Sequence, residues 1–99
     1  MNVSFIGNLV SDAKEVEWTD KVGEKKRWLS FRVAETTFRG GEKGTEFYDC
    51  ESKLFAVAKF LTKGSRVALC GNAAIERRER HDGSQIVSMK VFVYDIKLL

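Results

Sequence analysis

Residues 54–75 read LFAVAKFLTKGSRVALCGNAAI, and the period of the apolar residues changes partway along. Leu54, Val57, Ala58 and Leu61 recur at steps of three and four, which sets them on one face of a helix. Gly64 follows Lys63 where a helix C-cap belongs, since glycine takes a left-handed backbone without a Cβ penalty. Val67, Leu69, Gly71, Ala73 and Ile75 then alternate, the period of a strand with one buried face. This predicts a helix over Leu54 to Lys63 running directly into a strand.

The flanking sequence is built almost wholly of alternation. Val3, Phe5 and Leu9 fall on odd positions with Asn2, Ser4 and Asn8 between them, and Val16 and Trp18 extend this first strand after a break at Ser11-Asp12. Asp20 to Lys26, with Gly23 and five charges, is a solvated turn. Leu29, Phe31 and Val33 alternate with Trp28, Ser30, Arg32 and Ala34 in a second strand. Arg39 to Gly44 holds three glycines and is expected to be a flexible loop, and Phe47 to Ser52 forms a third strand. Beyond the helix and the fourth strand, Arg80-His81-Asp82-Gly83 is a hairpin turn, and Ile86 to Leu98 is the last strand. Three strands, one short helix and two strands make an all-β chain. This is the order of the OB-fold, a five-stranded, partly open Greek-key barrel.

Ninety-nine residues suffice for one domain over 1–99, with 43% hydrophobic and 31% charged residues. Seventeen Lys and Arg against fourteen Asp and Glu give a net charge of +3, which permits a polyanionic partner without requiring one. Cys50 and Cys70 have no metal-ligand spacing and one histidine cannot complete a zinc site with them, so free thiols and no metal or other cofactor are expected. No stretch approaches the roughly 18 apolar residues of a membrane helix, and the opening residues lack signal-peptide order. A soluble, cytoplasmic protein is the expectation. Catalytic motifs are missing too: His81 sits in a turn, and Gly40-Gly41 and Gly44 precede a strand and not a helix, so no enzyme is expected.

Four short motifs in order now support a family comparison. Gly7-Asn8-Leu9 with Asp12, Thr45-Glu46-Phe47-Tyr48, Phe60 to Val67 (FLTKGSRV), and Gly71 followed by Asp82-Gly83 and the closing Val91 to Leu99 resemble the bacterial single-stranded DNA-binding protein family. The resemblance implies an OB-fold, non-enzymatic binding of single strands and a homo-oligomer, tetramer first and dimer second. Family members continue into a tail with an acidic tip that recruits other replication proteins; this sequence stops at Leu98-Leu99, so a tail-less member is expected. The family's stacking aromatics correspond to Phe38 (or Thr37) and Phe47. Lys53 and Arg78 stand where the family carries aromatics, and Ala74 and Glu76 where it carries arginines.

Binding single strands without sequence preference calls for cations along the phosphates and flat faces for the bases. If Leu29, Phe31 and Val33 point inward, then Trp28 and Arg32 point outward on one sheet face, suited to stacking and phosphate contact. Trp28 could equally shield a loop or an oligomer contact. Phe47 is outward if Tyr48 and Cys50 are core, and a one-residue register slip would make it core instead. Arg77, Arg78 and Arg80, on the hairpin between the last two strands, and Lys90 on the next strand are candidate phosphate contacts. A mixed run of this kind is also what a solvated hairpin looks like. Glu46, Asp49 and Glu51 cut against a uniformly basic groove. The function expected is coating and protection of single-stranded DNA in replication, recombination or repair. Alternatives are an accessory OB protein resembling primosomal replication protein N, or an OB module that binds protein.

Overall fold

The computed structural model describes residues 1–99, with the side chain of Arg39 outside the described set. The described residues form β1 (Asn2–Leu9), β2 (Lys14–Thr19), β3 (Lys25–Arg39), β4 (Glu42–Ser52), a 3-10 helix (Phe55–Phe60), β5 (Arg66–Glu79) and β6 (Gln85–Leu98). One sheet runs β1-β5-β6-β4-β3-β2, and β1 also pairs with β3. Five strands therefore close into a ring, while β2 lies along the outer part of β3. All pairings are antiparallel except β4 with β6, which run parallel from Asp49↔Lys90 to Ser52↔Val93. The ring is filled by the alternate residues that the sequence points inward. Leu29, Phe31 and Val33 of β3, Val67 and Leu69 of β5, and Val91 and Val93 of β6 are all buried.

Six strands replace the five expected, because the first strand changes partners at its break. From Asn2 to Asn8 the chain pairs with β5, Asn8 and Leu9 also meet β3, and β2 pairs with β3 alone. Between them the backbone turns across the end of the ring: Val10 N donates to Arg32 O (3.0 Å) and Ala13 N to Leu61 O (2.8 Å). Asp12 Oδ1 accepts from Lys63 N at 2.7 Å.

The predicted helix shrinks to six residues of 3-10 form. Its N–H groups reach back three residues, Val57 N to Leu54 O (3.3 Å) and Leu61 N to Ala58 O (3.1 Å). Leu61 is 1% exposed, and it must enter the ring within one short span after Ser52, whose hydroxyl accepts from Leu54 N at 3.2 Å. A tight helix of this kind is used in short connecting pieces. The expected loop at Arg39 to Gly44 is instead a two-residue hairpin. Gly40 and Gly41 take φ of 57° and 82°, the pair of positive angles that matches strand twist, so β3 and β4 stay paired to Arg39↔Glu42.

The β3–β4 and β5–β6 hairpins run on beyond the ring. Ile75 keeps the inward alternation of β5 yet is 56% exposed, since at that level no core remains to cover it. A radius of gyration of 15.0 Å records the projection, against about 13 Å for a compact chain of this length.

Two expectations follow from the packing. A Cβ on Gly7 would lie 2.5 Å from Val33 Cγ1 and 2.7 Å from Ala34 O, where β1 crosses β3. Gly7→Ala should therefore lower stability in urea unfolding by at least about 1–3 kcal/mol, and unchanged stability would contradict the crossing. Burial, helped by the charge of Asp49, pushes the Cys50 thiol up to about 12 from 9.0. The folded state thus keeps a proton that the unfolded chain releases. The associated stability is complete below pH 9 and is lost as pH climbs toward 12. Relative to Cys50→Ala, wild type should lose roughly 1.4 kcal/mol per pH unit in that window, read from denaturant midpoints.

Candidate functional site

With the odd residues of β3 in the core, its even residues build an outer face that continues across the neighbouring strands. Arg32 lies opposite Asp49, Ala34 opposite Phe47, Asp49 beside Lys90, and Lys90 opposite Ala74. Phe47 is 50% exposed, so the register that makes it outward is the one adopted. The Arg32 guanidinium lies 4.8 Å above the Phe47 ring centre, with Nε 3.7 Å from Asp49 Oδ1. Tyr48, one residue on, turns the other way. Its ring meets Phe5 at 4.5 Å and its hydroxyl donates to Glu35 Oε1 at 3.1 Å.

Two of the carboxylates that seemed misplaced in a basic groove, Asp49 and Glu51, are the partners of its cations. Lys90 Nζ is 3.0 Å from Glu51 Oε1 and 3.4 Å from Glu76 Oε1, and Arg78 is 3.7 Å from the other oxygen of Glu76. The hydrogen bond from Lys90 to Glu51, opposed by desolvation and aided by the charges of Glu51 and Glu76, holds the amine above the ordinary lysine range. The outer face is thus a row of ion pairs.

Two open depressions flank this row. A cleft of about 500 Å³ lies between the projecting hairpins, with Arg32, Phe47 and Tyr48 on one wall and Ile75, Val87 and Met89 on the other. A groove of about 580 Å³ lies toward β2, lined by Trp18, Trp28, Phe92 and Tyr94 with Lys26 and Lys53. The candidate residues are divided between these places. Arg32 and Phe47 meet in the cleft. Trp28, half-buried, lies in the groove opposite Val16, and Lys90 stands in the paired row between the two. Phe38, 72% exposed, sits near the tip of the β3–β4 hairpin opposite Lys43. Arg77, Arg78 and Arg80 are exposed on the β5–β6 hairpin. Arg77 shares a face with Val87 of the cleft, while Arg78 lies on the face of Glu76.

Sequence reasoning missed Trp18, Phe92 and Tyr94, which are 54%, 51% and 57% exposed. The signal was present in the alternation: with Val91 and Val93 inward, Phe92 and Tyr94 must point out. The outward setting of Phe47 has a direct check. Phe47→Ala should change folding stability by no more than about 0.5 kcal/mol, whereas Phe31→Ala, in the core, should cost roughly 3–5 kcal/mol. A Phe47→Ala loss as large as that of Phe31→Ala would return Phe47 to the core.

A small closed barrel whose depressions are open grooves, with flat rings set beside cations on its outer face, has the features that binding of an extended polymer calls for. No family model matches the sequence, and no curated protein matches it. Solved structures do match. The mitochondrial single-stranded DNA-binding protein Rim1 of S. cerevisiae superposes with a TM-score of 0.75 at 25% identity, over 100% of this chain and 94% of that one. The small single-stranded DNA-binding protein of Streptomyces coelicolor gives 0.73 at 18% identity, over 100% and 94%. The Plasmodium falciparum protein, solved in complex with single-stranded DNA, gives 0.72 at 16% identity, over 99% and 93%. The resemblance read from the four sequence motifs therefore holds over the whole fold, and that fold is the one single-stranded DNA-binding proteins share.

Proposed function

We propose that residues 1–99 form one OB domain that binds single-stranded DNA without chemistry and with little sequence preference. In the OB description β1 and β2 count as one interrupted strand, which restores the five-stranded Greek-key order. The observation that carries the function is the likeness to Rim1 over the entire chain at 25% identity, joined by two further single-stranded DNA-binding proteins of the same fold. On this reading Phe47 and Phe38 offer ring faces to bases, and Arg32, Arg77, Arg78 and Arg80 meet phosphates. Lys90, held by two glutamates, keeps β4, β5 and β6 in register and contributes less to the ligand.

Cytoplasmic service in replication, recombination or repair fits such a binder. So does assembly into a tetramer, or else a dimer, which would lengthen the short track of one barrel, and contact with other replication proteins. Ala68 and Cys70, half-buried on the outer face of β5 opposite Ile6 and Ser4, supply a weakly polar surface for a second copy.

Anisotropy of labelled oligo-dT and of duplex at rising salt tests the binding. Single strands should bind far more tightly than duplex, and affinity should fall with salt as phosphate contacts release counterions. Equal affinity for the two would overturn the proposal. Arg32→Ala should weaken binding, whereas Asp49→Asn should strengthen it, because the guanidinium no longer has to leave a carboxylate 3.7 Å away. A monomer in light scattering at micromolar concentration would remove the oligomer.

A further inference from the structure

The groove on the β2 side of the ion-pair row is not needed for stacking at Phe47, yet it gathers four large rings. Trp28 projects from β3, Trp18 from β2, and Phe92 and Tyr94 from β6. Trp18, Phe92 and Tyr94 are each about half exposed, and exposed apolar patches on a soluble protein mark contact surfaces. Among the described residues none of these four rings stacks on another ring. Trp28 is half-buried among them, and the other three keep about half of their surface open to solvent.

The charge of the groove selects among occupants. Lys26 and Lys53 line it. Among the described residues Lys26 is held only by a 3.9 Å pair with Asp20, and its side chain is 52% exposed. Glu51, the acid of the lining, is turned to Lys90 at 3.0 Å. The groove therefore presents flat apolar faces flanked by positive charge, which matches bases joined by phosphates. It also continues the proposed track. Trp28 and Arg32 share the outer face of β3, and Phe47 pairs with Ala34 at the far end. Six residues separate 28 from 34, a span of about 20 Å along the strand.

We infer that Trp18, Trp28, Phe92 and Tyr94 form a second base-stacking station, which the strand reaches after leaving Phe47 and crossing the ion-pair row. This inference rests on the proposed binding of single-stranded DNA. It adds where the strand runs, and gives one barrel a longer track than the cleft alone provides.

Both tryptophans of the chain line this groove, so their emission reports on it selectively. Anisotropy of labelled oligo-dT reports binding anywhere. Trp emission should be quenched in step with the anisotropy. Phe92→Ala and Tyr94→Ala, which keep both tryptophans, should each bind roughly 5- to 100-fold more weakly, with folding unchanged by circular dichroism. Binding by anisotropy with unchanged emission and wild-type affinity in both variants overturns the second station and leaves the proposed function standing. No binding by anisotropy overturns both. Wild-type affinity together with a smaller particle in light scattering, in either variant, assigns the groove to a second copy of the chain and overturns the station.

Discussion

The turn over residues 62–65 docks against the end of β1, and the closed ring depends on that contact. Leu9 N donates to Ser65 O at 2.9 Å, Gly64 N returns to Leu9 O at 2.8 Å, and Asn8 Nδ2 reaches Gly64 O at 3.2 Å. Asp12 completes the clamp at Lys63 N, and Gly64 holds its φ of 86° within it. Backbone groups at the mouth of a barrel would otherwise be left without partners while close to the core, at a cost near that of a lost hydrogen bond for each. The clamp also fixes Leu61 as a plug and brings Gly7 against β3. Motifs that look functional because they are shared with DNA-binding proteins therefore act here through architecture: Gly7-Asn8-Leu9 and Thr62-Lys63-Gly64-Ser65 are two halves of one joint.

With the ring closed, the outer face inherits its arrangement. The in-register pairing of β3, β4, β6 and β5 sets Arg32 beside Asp49 and Lys90 between Glu51 and Glu76. Arg32, Arg78 and Lys90 each have a carboxylate within 4 Å. The pairs of Arg32 and Arg78 are exposed and contribute little to stability, because water already solvates both ions, whereas those of Lys90 are more buried. On the proposed reading their consequence is for binding: a ligand phosphate would gain one of these cations only as a carboxylate releases it. The ring of Phe47 lies under Arg32 of the row itself, and the rings of the groove stand on the β2 side.

Strand length gives the molecule its cleft. β3, β4, β5 and β6 are longer than the ring needs, and the surplus becomes hairpins with a cleft between them. The two-glycine turn at Gly40-Gly41 keeps one hairpin paired to its tip. At the other tip Asp82 Oδ1 accepts from Ser84 N at 2.9 Å and from Ser84 Oγ at 2.6 Å, with Gly83 at φ 86°. Ile75 and Val87 follow the inward alternation out past the last layer of core, which is why apolar side chains stand in the cleft wall.

Much of this was legible in the residues themselves. Period two fixed which side chains of β3 and β6 face the core, because a strand turns successive residues to opposite sides whatever its neighbours. The same rule placed Trp28, Arg32 and Phe47 outside, and would have placed Phe92 and Tyr94 there had it been applied to β6. Asp82-Gly83 was readable as a turn because few residues accept positive φ; Gly64 has the positive φ expected of it, but in a turn beyond the 3-10 helix, whose C-cap is Leu61. Period alone could not tell an α-helix from six residues of 3-10 helix pinned between Ser52 and Leu61, since that choice follows from the distance the chain must cover in the closed barrel. It could not divide the first strand into two, because the division is a change of partner and partners are distant in sequence. Nor could it assign Glu51 and Glu76 to Lys90, or separate Trp28 from Phe47 into different grooves. Those relations are set by register between strands, which only the folded sheet decides.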